Sequence, residues 1–119
     1  MLQTVSKTFV GNGTNPIGSR IRGRILAVKA VSDSNVTNNW DMTLSGSVTG
    51  IPILTETTIA NNDTVWWHPR ALAAKQADGA AATDAFVEIP VVNEAITCLT
   101  ANAGTTGTIT VTVIYDSEL

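Results

Sequence analysis

Residues 108–116 read TITVTVIYD, and this alternation constrains the fold more than any other feature of the chain. Ile109, Val111 and Val113 fall on one side of an extended chain, and Thr108, Thr110 and Thr112 on the other. A period of two is the signature of a half-buried strand. β-Branched side chains also pack well on a pleated surface and lose rotamer freedom in a helix. The same residue choice runs through the sequence, where Thr, Val and Ile dominate and Glu, Lys and Leu are scarce.

Turn signals cut this material into short pieces. Strands are expected over 4–10, 20–32, 40–48, 51–59, from 64 onward, 85–92, 95–100 and 108–116, separated by the polar or Gly-bearing runs SDSNVTNN, TG, ANND and ANAGTTG. About eight strands at close spacing predict an all-β, mostly antiparallel β-sandwich or jelly roll. Pro52 and Pro90 interrupt strand-like runs; a proline gives no ladder donor, so both mark edge strands or bulges. PRALAAKQADGAAA, residues 69–82, has helical composition but few large apolar side chains, and reads as a loop with room for one helical turn. GNGTNPIGS, residues 11–19, is a run of breakers and reads as a flexible connector. The chain thus divides into an N-terminal arm and connector, 1–19, and a single β-sandwich domain, 20–119. At 119 residues it can bury a core without disulfides or metals.

Charge narrows the function classes. Charged residues are 14% of the chain, against roughly 25% in typical globular domains. The formal net charge is −3, which argues against nucleic acid as the main partner. The first residues, MLQTVSKTFVGNG, lack the apolar stretch of a signal peptide, and no run has the length of a membrane span. A protein kept or assembled in the cytoplasm, without a membrane partner, is expected. The single cysteine, Cys98, lies in the strand-like AITCLT and reads as a small buried hydrophobe.

No chemical motif surrounds the titratable residues. His68 is the only histidine; Asp63 is near it in sequence, but no serine sits in a nucleophile elbow. One His and one Cys cannot build a typical zinc site, and the DSN and NND loops lack calcium-loop spacing. GNGTNPIG lacks the Lys-Ser/Thr ending and the following helix of a phosphate loop. No catalytic residue, metal or cofactor is expected.

Two features suit protein contact instead. Arg20, Arg22 and Arg24 alternate with Ile21, Gly23 and Ile25, so on a strand the three guanidinium groups share a face, where they can pair with the carboxylates of a protein partner. Lys29 has the opposite parity, so the stripe is expected to stop at Arg24. TVWWHPRAL, residues 64–72, holds Trp66, Trp67, His68 and Arg70. Adjacent tryptophans on a strand point to opposite faces, so one enters the core. The other joins His68 and Arg70 at a rim, and Trp and Arg are enriched at interface hot spots.

The pieces GRILAVKAV (23–31), GIPILTETTI (50–59), TVWWHPR (64–70), FVEIPVV (86–92) and GTITVTVIYD (107–116) together resemble head decoration, or capsid cement, proteins of tailed bacteriophages. The likeness covers nearly the whole chain after about residue 20, and Arg24, Trp66, Pro69 and Arg70 match its pattern. It implies a non-catalytic virion protein that binds the major capsid protein outside the shell and stabilises it. It also implies a homo-oligomer, dimer or trimer. A tail or head-fibre subunit is the alternative within the same class. A carbohydrate-binding β-sandwich that uses exposed tryptophans is the alternative outside it.

Overall fold

Residues 13–32 form one long strand around which the rest of the chain is built. The computed structural model describes residues 1–74 and 81–117. Within them lie nine strands and no helix: β1 (Leu2–Val10), β2 (Gly13–Ser32), β3 (Trp40–Gly46), β4 (Pro52–Ile59), β5 (Thr64–Trp67), β6 (Ala71–Ala74), β7 (Ala81–Val87), β8 (Ile89–Ala101) and β9 (Thr108–Asp116). Seven of them make one antiparallel sheet in the order β1-β9-β2-β8-β3-β4, with β5 also paired to β2. β6 and β7 pair with each other as a separate hairpin.

The seven-stranded sheet folds over itself because β2 and β8 bend. The first limb of β2, residues 13–17, pairs with residues 96–100 of β8; its second limb, residues 24–32, pairs with β9. Between the limbs the β2–β8 register shifts twice. Bulges of this kind bend strands and let them pass from one layer of a sandwich to the other. Gly18 (φ 68°) and Gly23 (φ 150°) supply positive φ on β2, and Asn93 (φ 53°) supplies it on β8. Ile17 and Ile96 from the first limb then share one buried cluster with Val28, Val111 and Val113 from the second. Trp40, Met42 and Leu44 of β3 complete the centre, each at most 1% exposed.

The all-β antiparallel sandwich expected from the sequence is thus the observed architecture. Three details differ. Segment 69–82 was expected as a loop, yet residues 71–74 and 81 onward are strands; residues 75–80 lie outside the described ones. The breakers of 11–19 do not end a unit before residue 20. That boundary falls inside β2, and β1 pairs with β9 from Leu2 to Val10, so here the expected arm is part of the sheet. Finally, β2 contains a bulge that sequence parity does not reveal, treated below. Both prolines sit as expected: Pro52 begins the edge strand β4, and Pro90 lies on a stretch of β8 that pairs only with β2 among the described residues.

Gly23 tests the bend. A Cβ there would strike the backbone carbonyl of Asp116, and φ is positive as well. Gly50 also has positive φ, but nothing lies within 4 Å of its would-be Cβ. Gly23→Ala is expected to lower the unfolding free energy by about 3 kcal/mol or more, and Gly50→Ala by only about 1 kcal/mol, in urea titrations followed by circular dichroism.

Candidate binding surface

Arg20, Arg22 and Arg24 are all exposed, while Ile21 and Gly23 between them are buried. The guanidinium groups of Arg22 and Arg24 leave the strand roughly 7 Å apart on one face. Arg24 is held by Asp116, with Nη2 to Oδ2 at 3.3 Å, and the same carboxylate takes the Met1 ammonium at 2.9 Å. An exposed pair of this kind contributes at most about 1 kcal/mol. No carboxylate within the described residues is shown pairing with Arg20 or Arg22.

The row does not stop at Arg24. Ile25 pairs with Tyr115 and Ala27 with Ile114, which leaves Leu26 as an extra residue on β2. A one-residue slip exchanges the faces of every residue beyond it. Just before Leu26 the odd positions Ile21, Gly23 and Ile25 are buried; after it Val28, Ala30 and Ser32 are buried, and Lys29 turns outward. The expectation that Lys29 lies on the opposite face from the arginines is therefore corrected. Its Nζ lies 5.4 Å from the ring centroid of Trp66, its cross-strand neighbour on β5.

The same bulge organises the WWHPR stretch. Residue 26 lies outside the regular ladder, and its carbonyl accepts from Arg70 Nη1 at 3.2 Å; His68 Nδ1 lies 3.4 Å from the same oxygen. Arg70 Nη1 also donates to the carbonyl of Pro69. Register settles which tryptophan is inside. Trp67 pairs with Val28, which is fully buried, and packs against the core; Trp66 pairs with Lys29 and is 51% exposed. Trp67, His68, Pro69 and Arg70 face Ile53, Leu54 and Glu56 of β4 across a cleft of about 350 Å³.

Several of the remaining carboxylates hold loops. Glu94, 3% exposed, accepts from the backbone N–H of Val48 at 2.8 Å and of Thr49 at 3.0 Å, and from the Thr49 hydroxyl at 2.8 Å. The bond from Val48, helped by those from Thr49, keeps its carboxyl below the ordinary value of 4.5 against the opposing effect of burial. At the other end of the molecule Asp33 accepts from the backbone N–H of Asn35 and of Thr108, and Asp41 from Thr58 N–H and Asn102 Nδ2. Asp63 caps Thr64 N–H. Cys98 is fully buried, and burial pushes its thiol up to about 12, so it stays neutral. Among the described residues no three His, Cys, Asp or Glu side chains gather as metal ligands.

The structure therefore places Arg22, Arg24, Lys29 and Trp66 along one outer face, leaves Arg20 exposed on the bend of β2, and sets His68 and Arg70 at the adjoining strand end. Sequence reasoning missed Lys29 and Asp116. No sequence signal marks Leu26 as a bulge, whereas the pairing of Asp116 needed the β2–β9 register.

The fold is an antiparallel β-sandwich. No protein-family model matches the sequence, and no curated protein matches it either. Among solved structures, a chain of the acidic stable capsid structure of Helicobacter pylori bacteriophage KHP30 aligns with a TM-score of 0.57 at 11% identity, covering 98% of this chain and 89% of that one. A chain of the cyanophage Pam1 capsid asymmetric unit aligns with a TM-score of 0.54 at 18% identity, covering 96% and 83%. At these identities the likeness is one of fold.

Two measurements check this surface. Trp67→Ala is expected to reduce stability by about 2 kcal/mol or more, and Trp66→Ala by less than about 1 kcal/mol, with buried Trp40 as the fluorescent reporter in both. A lowered carboxyl pKa adds stability that is present above the unfolded-state value and lost as pH falls through the folded-state value. Wild-type stability should thus decline as pH drops below about 4.5, and Glu94→Gln should be less stable at pH 7 with a shallower acid decline in pH-dependent urea titrations.

Proposed function

We propose that this chain is a non-catalytic structural subunit of a phage virion, which binds the outside of the capsid and stabilises it. The observation that carries the reading is fold likeness over nearly the full length of both chains to chains of two phage capsids. The surface chemistry supports it. The outer surface with Arg20, Arg22, Arg24, Lys29 and Trp66 combines guanidinium forks with a half-exposed indole, the side chains that most often dominate binding energy. In this reading the partner is an acidic surface of the major capsid protein. Trp67 fixes β5 to the core, and Arg70 and His68 hold the strand end, so that Trp66 is presented on a rigid support. Many copies on one shell hold through modest single contacts where the geometry lets them engage together.

The test is sedimentation with capsids that lack the protein. Bound protein should co-sediment and raise the temperature at which capsids open. Arg20→Glu with Arg22→Glu should weaken binding at least tenfold, and wild-type binding should fall with added salt. Capsids that neither bind the protein nor gain heat resistance would sink the proposal. Binding untouched by the double reversal would remove the arginine row from it.

A further inference from the structure

Asn12 is the one asparagine of the chain that a glycine follows. An asparagine carboxamide is open to attack by the main-chain nitrogen of the next residue, and a side chain on that residue obstructs the approach. Gly13 has none, and the space its Cβ would fill is open but for Asn15 Nδ2 at 3.6 Å. Elsewhere Asn62 precedes Asp63, Asn93 precedes Glu94, and Asn15 precedes Pro16, whose nitrogen carries no hydrogen. Asn12 is exposed and shares with Gly11 the short turn between β1 and β2.

That turn is clamped to the loop between β8 and β9. Asn12 N–H donates to the Gly104 carbonyl at 2.9 Å, and Asn12 Oδ1 accepts from Ala103 N–H at 2.7 Å. Gly11 N–H donates to the Gly107 carbonyl at 2.8 Å, and the Gly11 carbonyl accepts from Thr100 Oγ1 at 2.9 Å. Ala103 is 3% exposed, so losing its bond to Asn12 strands a buried donor. On either side of the turn the chain is held in register, Val10 opposite Thr108 and Gly13 opposite Thr100. The turn has no slack.

We propose that Asn12 is a site of spontaneous deamidation, restrained in the folded protein by its bonds to Ala103 and Gly104, and that the reaction unlocks this clamp. The Gly13 nitrogen gives up its proton to hydroxide and bonds to Asn12 Cγ. The Cγ–Nδ2 bond breaks, and Nδ2 leaves as ammonia after taking a proton from water. The cyclic imide is then opened by water. Cleavage of the new bond from Cγ to the Gly13 nitrogen gives an aspartyl residue. Cleavage of the original peptide bond gives an isoaspartyl residue, whose main chain runs through the former side chain and is one carbon longer. Ring closure swings Cγ onto the Gly13 nitrogen, so the bonds to Ala103 and Gly104 must first open, and Gly13 must slip from its place opposite Thr100. The aspartyl product keeps an oxygen that accepts from Ala103 N–H. The isoaspartyl product does not fit a turn with fixed registers on both sides. The change is irreversible, so the altered fraction counts the time that the turn has spent open.

The test needs only the purified protein, so its outcome is separate from that of the capsid reading. Wild type is incubated at mildly alkaline pH, folded in buffer and unfolded in guanidinium chloride, and then cut with trypsin. Cleavage after Lys7 and Arg20 releases residues 8–20, and fragmentation in the mass spectrometer separates Asn12 from Asn15. Conversion should fall at Asn12, rise with pH, and run at least about tenfold slower in the folded protein. Asn12→Gln, whose longer side chain closes the ring poorly, should leave this peptide unchanged. Asn12→Asp, which keeps the acceptor, should melt within about 1 °C of wild type, and a deamidated fraction shown by fragmentation to be isoaspartyl should melt about 3 °C or more lower. The comparison of folded with unfolded wild type decides the restraint even if a variant fails to fold. Conversion absent in the unfolded chain, equal rates in the two states, faster conversion at another asparagine, or an isoaspartyl fraction that melts with wild type would each overturn the proposal.

Discussion

Two hydrogen-bonded strands that pass together from one layer into another must bend at the same place, and the fold depends on that shared corner. β2 bends with the help of Gly18 and Gly23, and β8 bends at Asn93. Ile17, Ile21 and Ile96 fill the inside of the corner, all at most 3% exposed. Glu94 stands opposite Ile21, and its carboxylate reaches the β3–β4 turn at Val48 and Thr49. Backbone ladder, apolar packing and a buried charge thereby meet at one spot. Gly46 belongs to it as well, since a Cβ there would collide with Glu94 Oε1. A carboxylate so enclosed is tolerable because two backbone N–H groups and a hydroxyl replace the water it has lost.

The second constraint, at Leu26, links the fold to its surface. Without the extra residue, parity would put Val28 and Ala30 into water and Lys29 into the core. The bulge restores the apolar face to the interior and, as a consequence, extends the basic row toward Trp66. It also takes its own carbonyl out of the regular ladder. Arg70 donates to that carbonyl, so a residue that reads from sequence as a contact side chain acts in the fold as a support for the end of β5.

How much of this was legible follows from what the signals encode. Alternation reports which face is inside, so TITVTVIYD and the Trp40, Met42, Leu44 trio were read correctly: Ile109, Val111 and Val113 are fully buried, and so are Trp40 and Leu44. Parity also required that Trp66 and Trp67 diverge. It could not say which turns inward, because that depends on register with Val28, a partner distant in sequence. The breakers of 11–19 signal flexibility in sequence, but Gly18 provides a positive φ that a tight bend needs within a continuous strand. Residues 71–74 were read as loop because alanine favours no strand; their pairing with β7 is a long-range fact. Lys29 was misplaced for the simplest reason, that one uncounted residue reverses every face after it.

Net charge is a poor guide to the local charge of this surface. The formal charge is −3, yet the row on β2 is cationic. β9 runs from Thr108, beside the loops that carry Asp33 and Asp63, to Asp116, beside Arg24. Its nine residues span about 27 Å, more than three screening lengths at physiological salt. The carboxylates at one end therefore do little to cancel the field of the arginines at the other. Nearer to the row, Asp116 already holds Arg24 and the Met1 ammonium, and Glu94 is enclosed by its own donors. Arg20 and Arg22 are left as exposed cations, the charges that an acidic protein surface would meet first under the proposed function.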